Sequence, residues 1–418
     1  MSFLPDFAVA LPQVCAAAVN IERSTGDSRR PIDAEFTMRR AVALVLALTA
    51  TLAVAACSPG AADQPATAAV TAAQLGRLPT PTGQFAIGRD VLQLVDPARD
   101  DPWTPGTPRE LMVSMYFPAR AGAGAFEPYA SAAEIPALLT NAALDQQIPA
   151  ETLSAVRTHS IAGAQPVDGT YPLVVLSPGL TAPRYTLTAL AEELTSRGYI
   201  VAAVDHAGES FGTEFPDGRL STCVVCQRIE AGLPLSAVVE TRARDVTFLL
   251  DRLTGAQPSW THARMIDTDR IGMAGHSLGG AAAAAAMAAD PRVRAGVNMD
   301  GSFFDDTSAP GVGDRPFLLF GTDAETRPGG QDSSWDRAWT ALRGWKRWLT
   351  VVGADHNSFL DTPALLGAED APALPGHRAV EITRAYVAAF FDQQLRALPQ
   401  PLLDGADPAF PEIRSYTP

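Results

Sequence analysis

The 418-residue sequence is short of cysteine and of basic residues, and each shortage excludes a class of protein. Its four cysteines, Cys15, Cys57, Cys223 and Cys226, are too few for a disulfide scaffold in a chain of this length. Lys and Arg number 32 against 46 Asp and Glu. The formal charge of −14 argues against a nucleic-acid partner, because phosphate binding needs a basic face. The sequence also lacks a phosphate-cradling glycine loop, a dinucleotide fingerprint and a metal-ligand cluster, so we expect neither a cofactor nor a metal.

The longest apolar run, residues 41–56, is shorter than the roughly 20 residues that a transmembrane helix needs. It follows Met38-Arg39-Arg40 and ends at Cys57, and a basic start, an apolar middle and a small-residue exit are typical of a secretory signal. Val54-Ala55-Ala56-Cys57 also resembles the lipobox of bacterial lipoproteins, in which the cysteine is lipidated and becomes the mature N-terminus. We therefore expect an extracytoplasmic protein, either anchored to the cell membrane through Cys57 or secreted.

The composition along the chain predicts four segments. Residues 38–57 are the lipoprotein signal peptide, and residues 1–37 are either an extension upstream of the true start or a cytoplasmic segment. Residues 58–81, rich in Ala, Pro, Thr and Gly, suit a flexible linker. Residues 82–418 form one folded domain.

Strand patterns alternate with helical patterns through this domain. Apolar runs predict buried strands at 111–116, 171–176, 199–204, 270–275, 293–299, 316–321 and 348–353. Apolar residues at helical spacing occur between and after these strands, with clear stripes over 187–194, 239–253 and 382–390. This alternation predicts an α/β fold with a mostly parallel central sheet and helices on both faces.

The strongest local motif is Gly275-His276-Ser277-Leu278-Gly279, which stands between a predicted strand and a run of small helix-forming residues, Ala281–Ala286. A G-x-S-x-G pattern in this position is typical of a nucleophile elbow, a sharp turn that projects the serine hydroxyl above the sheet. Gly275 and Gly279 are needed because a side chain there would collide with neighbouring main chain. Ser277 is therefore the candidate nucleophile, and we expect the side chain of His276 to point elsewhere.

A serine nucleophile needs a base, and the base needs an acid that orients it. His356 lies in a loop after the last predicted parallel strand, where the order serine, acid, histidine of this architecture puts the base. His206, just beyond an earlier strand, is the alternative base. Asp300 and Asp323 each follow a predicted strand at the same edge of the sheet, so spacing alone does not choose the acid between them.

Several segments together resemble the plasma-type platelet-activating-factor acetylhydrolases and their bacterial lipase-like relatives, which have the α/β-hydrolase fold. The resemblance covers most of residues 79–361 and lies in Pro79–Gly83, Arg109–Val113, Tyr116–Pro118, Ser177–Leu180, Asp205-His206, Gly275–Gly280, Met299–Gly301 and Gly353–His356. In that family the acid follows the strand after the nucleophile, which implies Asp300 rather than Asp323. The chain departs from the family at one turn, where Pro178-Gly179 stands in place of the frequent His-Gly.

The resemblance implies an exported serine carboxylic-ester hydrolase that acts on lipid-like esters with short or oxidised acyl chains. Its catalytic triad would be Ser277, His356 and Asp300, with an acyl-enzyme intermediate. The oxyanion would be bound by the main-chain N–H groups of Leu278, next to the nucleophile, and of Leu180, in the loop after the first buried parallel strand. A general esterase or polyester hydrolase is one alternative, and a non-catalytic solute-binding lipoprotein is another.

Two further patterns lie outside this constellation. Cys223 and Cys226 fall within residues 205–235, a candidate lid or loop insertion, and outside the cytoplasm their spacing favours a disulfide over a structural zinc site, which usually has four ligands. Trp335 and Trp339 share one face of a predicted helix. This is typical of core packing, and a lipid-interface patch is the alternative.

Overall fold

The structure is a computed structural model that describes residues 77–141, 143–366 and 374–417. The N-terminal segment 1–37, the predicted signal peptide with Cys57, and most of the predicted linker lie outside the described residues. Within the described ranges, no helix combines the length and the hydrophobicity required to cross a membrane.

An eleven-stranded sheet forms the centre of the described part of the chain. The strands, in chain order, are β1 (Ala86–Asp100), β2 (Pro108–Ala119), β3 (Phe126–Pro128), β4 (Arg157–Ile161), β5 (Tyr171–Ser177), β6 (Ile200–His206), β7 (Thr213–Glu214), β8 (Leu220–Ser221), β9 (Ile266–His276), β10 (Val293–Met299), β11 (Phe317–Thr322), β12 (Lys346–Val351) and β13 (Ile413–Tyr416). Their order across the sheet is β13-β12-β11-β10-β9-β5-β6-β2-β1-β4-β3, and β7 pairs with β8 separately. The strands from β12 to β6 are parallel to one another. This confirms the mostly parallel sheet that the sequence pattern predicts.

Helices cover both faces of this sheet, as predicted. In chain order they are α1 (Glu134–Asn141), α2 (Ala150–Ser154), α3 (Thr188–Ser196), α4 (Val224–Glu230), α5 (Leu235–Thr254), α6 (Leu278–Ala289), α7 (Ser308–Gly311), α8 (Ser334–Ala341), α9 (Thr362–Leu365) and α10 (Gly376–Arg396). Successive strand residues point to opposite faces. Leu173 and Val175 of β5 are therefore buried in one core with α5, α6 and α8, whereas Val174 and Leu176 are buried in the other with α3 and α10. Burial on both faces explains why the central strands are continuous apolar runs.

The sequence pattern did not predict the mixed edge of the sheet formed by β1, β3 and β4 or the last strand, β13. β1 alternates buried and exposed residues and includes Arg89, Asp90 and Gln93, so it lacks the apolar run that marks the central strands. Trp335 and Trp348 are 0% exposed and pack in the core beneath α8. Trp335 is therefore not available to a lipid interface, and Trp339 packs partly buried against the same core.

Candidate active site

Ser277 sits in a strained turn between β9 and α6. Its backbone angles are φ 54° and ψ −123°, a conformation that L-residues rarely adopt. The turn is fixed because the Ser277 N–H donates to the Met299 carbonyl of β10 at 2.8 Å. Strain of this kind persists only where surrounding structure holds it, and it is concentrated at functional sites.

The glycines on either side of Ser277 are required by close main-chain contacts. A Cβ atom on Gly275 would lie 2.0 Å from the carbonyl oxygen of Gly279. A Cβ atom on Gly279 would lie 2.0 Å from the carbonyl oxygen of Ser177 at the end of β5. Both distances are shorter than any real carbon–oxygen contact, so the turn can form only with glycine at these two positions. A side chain at either position would therefore collide with the main chain, as expected from the sequence motif.

The structure brings Ser277, His356 and Asp300 into one hydrogen-bonded chain. Ser277 Oγ lies 2.9 Å from His356 Nε2, and His356 Nδ1 lies 2.7 Å from Asp300 Oδ2. With Asp300 ionised, Nδ1 carries the proton and donates to the carboxylate, so Nε2 accepts from the serine hydroxyl. The Ser277 side chain is half-buried and the His356 side chain is 43% exposed, so the array is open to a solute.

Asp300 is held in place by the neighbouring strand β11. It has φ 57°, its N–H donates to the Phe320 carbonyl, and its Oδ1 accepts from the Thr322 N–H at 2.8 Å and from the hydroxyls of Thr322 and Thr326. Burial on its own would raise the pKa of Asp300. The hydrogen bond from His356, its positive charge and the Thr322 N–H outweigh burial and hold this pKa below its ordinary value. Asp300 is therefore a fixed negative charge behind the imidazole.

The same pairing acts on His356. Partial burial lowers the pKa of His356, but the hydrogen bond to Asp300 and the negative charge of that carboxylate raise it more, so the net pKa lies above the ordinary value. The main chain of His356 is also held in place, because the Nε2–H of His276 donates to its carbonyl at 2.7 Å. Burial and the neighbouring His356 lower the pKa of His276 to about 3, so His276 stays neutral.

The alternative acid and the alternative base face other partners. Asp323 Oδ1 accepts from Thr350 Oγ1 and from the Tyr416 hydroxyl, each at 2.8 Å, and so ties β12 and β13 to the end of β11. His206 is buried at the end of β6, where its Nε2 lies 3.0 Å from Ser177 Oγ and its Nδ1 lies 2.8 Å from Asp245 Oδ2. Within the described ranges, neither residue hydrogen-bonds to Ser277 or His356.

In the part of the chain that the structure describes, two main-chain N–H groups next to Ser277 have no partner. Leu278 is the first residue of α6, and Leu180 follows Gly179 in the loop after β5. A Cβ atom on Gly179 would lie 3.2 Å from Ser277 Cβ, so this loop is in direct contact with the nucleophile. No acceptor in the described part of the chain pairs with the N–H of Leu180 or Leu278. Unpaired donors beside a nucleophile are what the stabilisation of an oxyanion requires.

The segment 205–235 contains the β7–β8 hairpin and α4, with a disulfide between Cys223 and Cys226. Leu180 and Phe211 pack against the buried apolar cluster that includes Leu278, and so does Phe304 from the loop after β10. An apolar surface of this kind beside a serine can hold the hydrocarbon part of a substrate. Within the described ranges, no group of His, Cys, Asp and Glu side chains could hold a metal ion.

Sequence reasoning missed two charged residues of α5, Arg242 and Asp245. Both are buried; Arg242 donates to two carbonyls of the loop after β5, and Asp245 pairs with Arg109 and His206. The two α5 residues stand next to Ala243 and Val246 on the apolar stripe that predicts this helix. Charged residues on the buried face of a helix are rare unless they are paired, and this is the feature by which the sequence could have revealed them.

Comparisons with known proteins identify several relatives of this chain. The family model described as "Platelet-activating factor acetylhydrolase, isoform II" matches residues 71–216. The protein named "Probable 1-alkyl-2-acetylglycerophosphocholine esterase" of Arthroderma benhamiae is 30% identical over 80% of this chain and 92% of its own. The "Bis(hydroxyethyl) terephthalate hydrolase" of Streptomyces coelicolor is 30% identical over 38% of this chain and 41% of its own.

A solved structure extends the match. The ferulic acid esterase from Streptomyces cinnamoneus is 42% identical, with a TM-score of 0.71, over 82% of this chain and 99% of that one. This identity over most of both chains shows that the two proteins are homologous and do not merely have the same fold. The chain therefore belongs to the platelet-activating factor acetylhydrolase, isoform II, family and is a carboxylic ester hydrolase with the α/β-hydrolase fold.

Proposed function

We propose that this hydrolase is a serine esterase whose catalytic triad is Ser277, His356 and Asp300. The observation that carries the proposal is an unbroken chain of hydrogen bonds, 2.9 Å and 2.7 Å long, that joins a serine on a strained strand-to-helix turn through a partly exposed imidazole to a carboxylate. The two unpaired N–H groups of Leu180 and Leu278 support it, because an acyl transfer needs donors at the oxygen that becomes negative.

In the proposed reaction, Ser277 Oγ attacks the ester carbonyl carbon while His356 Nε2 takes the hydroxyl proton. The Leu180 and Leu278 N–H groups bind the oxyanion, and Asp300 stabilises the imidazolium. The intermediate collapses, and the alcohol leaves with the proton from His356. Water then attacks the acyl-enzyme and gives a proton to the same nitrogen. The second intermediate collapses by breaking the bond to Ser277 Oγ, which regains the proton from His356 as the carboxylic acid leaves.

We propose lipid-like or short-acyl esters as the substrates. The name of the Arthroderma benhamiae relative supports this choice, since it specifies an acetylated ether glycerophosphocholine. The partly buried apolar side chains of Leu180, Phe211 and Phe304 also support it, because they can cover hydrocarbon. A general or polyester-type esterase is the second candidate, favoured by the 42% identity to a ferulic acid esterase and by the terephthalate hydrolase relative.

The test of the catalytic role compares Ser277→Ala with Ser302→Ala on p-nitrophenyl acetate. Removing the nucleophile should lower kcat by about 10⁶-fold, as in dissected triads. Ser302 makes its hydrogen bond to Asp332 away from the triad, so Ser302→Ala should keep close to wild-type kcat. A p-nitrophenyl phosphonate should add one phosphonyl group to the peptide that contains Ser277, with release of p-nitrophenolate. Undiminished turnover by Ser277→Ala would end the proposal.

An acyl series distinguishes the two substrate classes. The wild type is compared on acetyl, butyryl, octanoyl and hexadecanoyl p-nitrophenyl esters, a 1-alkyl-2-acetylglycerophosphocholine, methyl ferulate and bis(hydroxyethyl) terephthalate. We expect the highest kcat/KM on acetyl esters and turnover of the acetylated glycerophosphocholine. Preference for methyl ferulate or the terephthalate ester would instead assign the enzyme to the second class.

We also propose export with a lipid anchor on Cys57, on the strength of the sequence of residues 38–57. The disulfide between Cys223 and Cys226 supports this location, since disulfides persist in oxidising compartments. The mass of the protein from the membrane fraction should correspond to a lipidated N-terminus at Cys57, and Cys57→Ala should abolish that mass. A mature chain that retains residues 38–56 would contradict the proposal.

A further inference from the structure

A buried network of charged side chains lies behind the loop that carries the Leu180 N–H. Its members are three guanidinium groups and three carboxylates: Arg99, Arg109, Arg242, Asp101, Glu209 and Asp245. All except Arg99 are less than 9% exposed. Every member is paired with an opposite charge, and Arg99 also pairs with Asp96, so the network can remain ionised inside the protein. None of these side chains belongs to the proposed triad, yet the network touches the loop beside it.

Arg242 makes the contact between this network and the loop. Its Nη1 donates to the Pro178 carbonyl at 2.5 Å, and its Nη2 donates to the Gly179 carbonyl at 3.5 Å. Its Nε donates to Glu209 Oε2 at 2.7 Å, which holds the guanidinium in place. Arg242 is thus a planar fork with one edge on a carboxylate and the other on two consecutive carbonyls.

The orientation of these carbonyls determines the direction of the Leu180 N–H. In a planar trans peptide, the carbonyl of one residue and the N–H of the next point in opposite directions. The Gly179 carbonyl points toward Arg242, so the Leu180 N–H points away from the buried network. A Cβ atom on Gly179 would lie 3.2 Å from Ser277 Cβ, so the nucleophile lies directly beside this peptide.

The residue after Leu180 is fixed from the same network. Thr181 has φ 72°, a left-handed conformation that a β-branched residue rarely adopts. Its N–H donates to the Glu209 carbonyl at 2.8 Å, and its carbonyl accepts from the Phe211 N–H at 2.9 Å. Glu209 therefore restrains the loop twice, with its main chain at Thr181 and with its side chain through Arg242. Strain held by surrounding contacts indicates a conformation that the fold maintains.

The dipeptide Asp205-His206 anchors the two ends of the same loop. His206 Nε2 accepts from the Ser177 hydroxyl, whose oxygen lies 3.4 Å from Arg242 Nη1. Asp205 Oδ1 accepts from the Arg184 N–H at 2.6 Å, and its Oδ2 forms an ion pair with the Arg184 guanidinium. The loop between Ser177 and Arg184 is thus held at both ends by adjacent residues of β6.

We propose that Arg242 is a positioning residue for catalysis, which aims the Leu180 N–H at the oxyanion through the Pro178 and Gly179 carbonyls. Ser177 and His206 support Arg242 in this role. His206 therefore helps to orient the loop after β5 and does not act as a base. This inference rests on the proposed function, because the donor matters only if Ser277 is acylated. Arg242 acts on the reaction through the loop and not by contact with the substrate.

The test compares Arg242→Lys with Arg384→Lys. Arg384 is also buried and also donates to two consecutive carbonyls, those of Pro79 and Thr80, but these precede β1. A lysine keeps the charge but cannot contact Glu209 and both carbonyls at once. Arg242→Lys should lower kcat roughly 10- to 100-fold, approaching the loss of one oxyanion donor. KM should change less than about threefold, because the donor acts mainly in the transition state. Arg384→Lys should keep kcat close to wild type.

A second variant covers the case in which Arg242→Lys does not fold. Ser177→Ala removes one hydroxyl and should lower kcat roughly three- to tenfold, because Arg242 keeps its carbonyls but loses a support. Wild-type kcat in the folded variants, equal kcat losses in Arg242→Lys and Arg384→Lys, or a KM that rises in proportion to the loss would overturn the positioning role. Undiminished activity in Ser277→Ala would reject the proposed function itself, and the two failures are therefore distinguishable.

Discussion

The described part of the protein contains two Ser–His–Asp arrays with nearly equal hydrogen-bond lengths. The exposed array is Ser277, His356 and Asp300, and the buried array is Ser177, His206 and Asp245. The serine–histidine distances are 2.9 Å and 3.0 Å, and the histidine–aspartate distances are 2.7 Å and 2.8 Å. The arrays differ in access, since the histidine side chain is 43% exposed in the first and 1% exposed in the second. Side-chain geometry alone therefore does not identify a catalytic site.

The electrostatic surroundings separate the arrays further. In the exposed array, Asp300 raises the pKa of His356, so the imidazole can take up the serine proton. In the buried array, burial and the adjacent Arg242 lower the pKa of His206 despite its bond to Asp245. The Asp245 carboxylate is shared with the guanidinium groups of Arg99 and Arg109. His356 can therefore accept a proton, whereas His206 stays neutral and links Ser177 to Asp245.

Among the variants that compare the two arrays, removing the acid of the exposed array should have the largest effect on turnover. Asp300→Asn should lower kcat by about 10⁴-fold, because an amide neither fixes the required histidine tautomer nor stabilises the imidazolium. Steady-state kinetics on p-nitrophenyl acetate measure this. Asp323→Asn is the matched control, since Asp323 bonds to Thr350 and Tyr416, and its kcat should stay close to wild type. A larger loss in Asp323→Asn than in Asp300→Asn would transfer the acid role to Asp323.

Removing the acid of the buried array should instead lower stability. Asp245→Asn leaves the fully buried Arg109 with one carboxylate fewer, and breaking a buried ion pair costs about 3–5 kcal/mol. Urea denaturation followed by circular dichroism measures the change in the free energy of unfolding. Asp168→Asn breaks the exposed pair with Arg120 and should cost at most about 1 kcal/mol. Equal losses in the two variants would mean that the buried network does not stabilise the fold.

The exposed array shows how far sequence reasoning reached. The elbow around Ser277 depends on neighbours within a few residues, so the motif predicts its turn and its two required glycines. Asp300 and Asp323 follow adjacent parallel strands and have the same local pattern. They differ through distant contacts, with His356 in one case and with Tyr416 of β13 in the other. Only a resemblance to a family could favour Asp300 before those contacts were known.

The pairing within the buried array and the edge strands were beyond sequence reasoning for a related reason. Arg242 and Asp245 lie on α5, but their partners come from β1, β2 and the loops after β5 and β6. Because α5 pairs with four segments that are distant along the chain, no short sequence pattern predicts these contacts. The edge strands β1 and β4 are half-exposed, so their apolar residues alternate with polar ones and do not form a continuous run.

The pH dependence of kcat/KM should sharpen the comparison, with the smallest effect. A general base works only when neutral, so activity should fall as pH drops through the pKa of His356. Because Asp300 raises that pKa, the midpoint should lie above the ordinary histidine value of about 6.5. The pKa of His206 is lowered, so His206 should not contribute to this acidic limb of the profile.

The exposed Glu325 also raises the pKa of His356, so Glu325→Gln should move the midpoint slightly lower and leave the plateau unchanged. A midpoint below 6.5 in the wild type would mean that the carboxylate does not stabilise the imidazolium in the free enzyme.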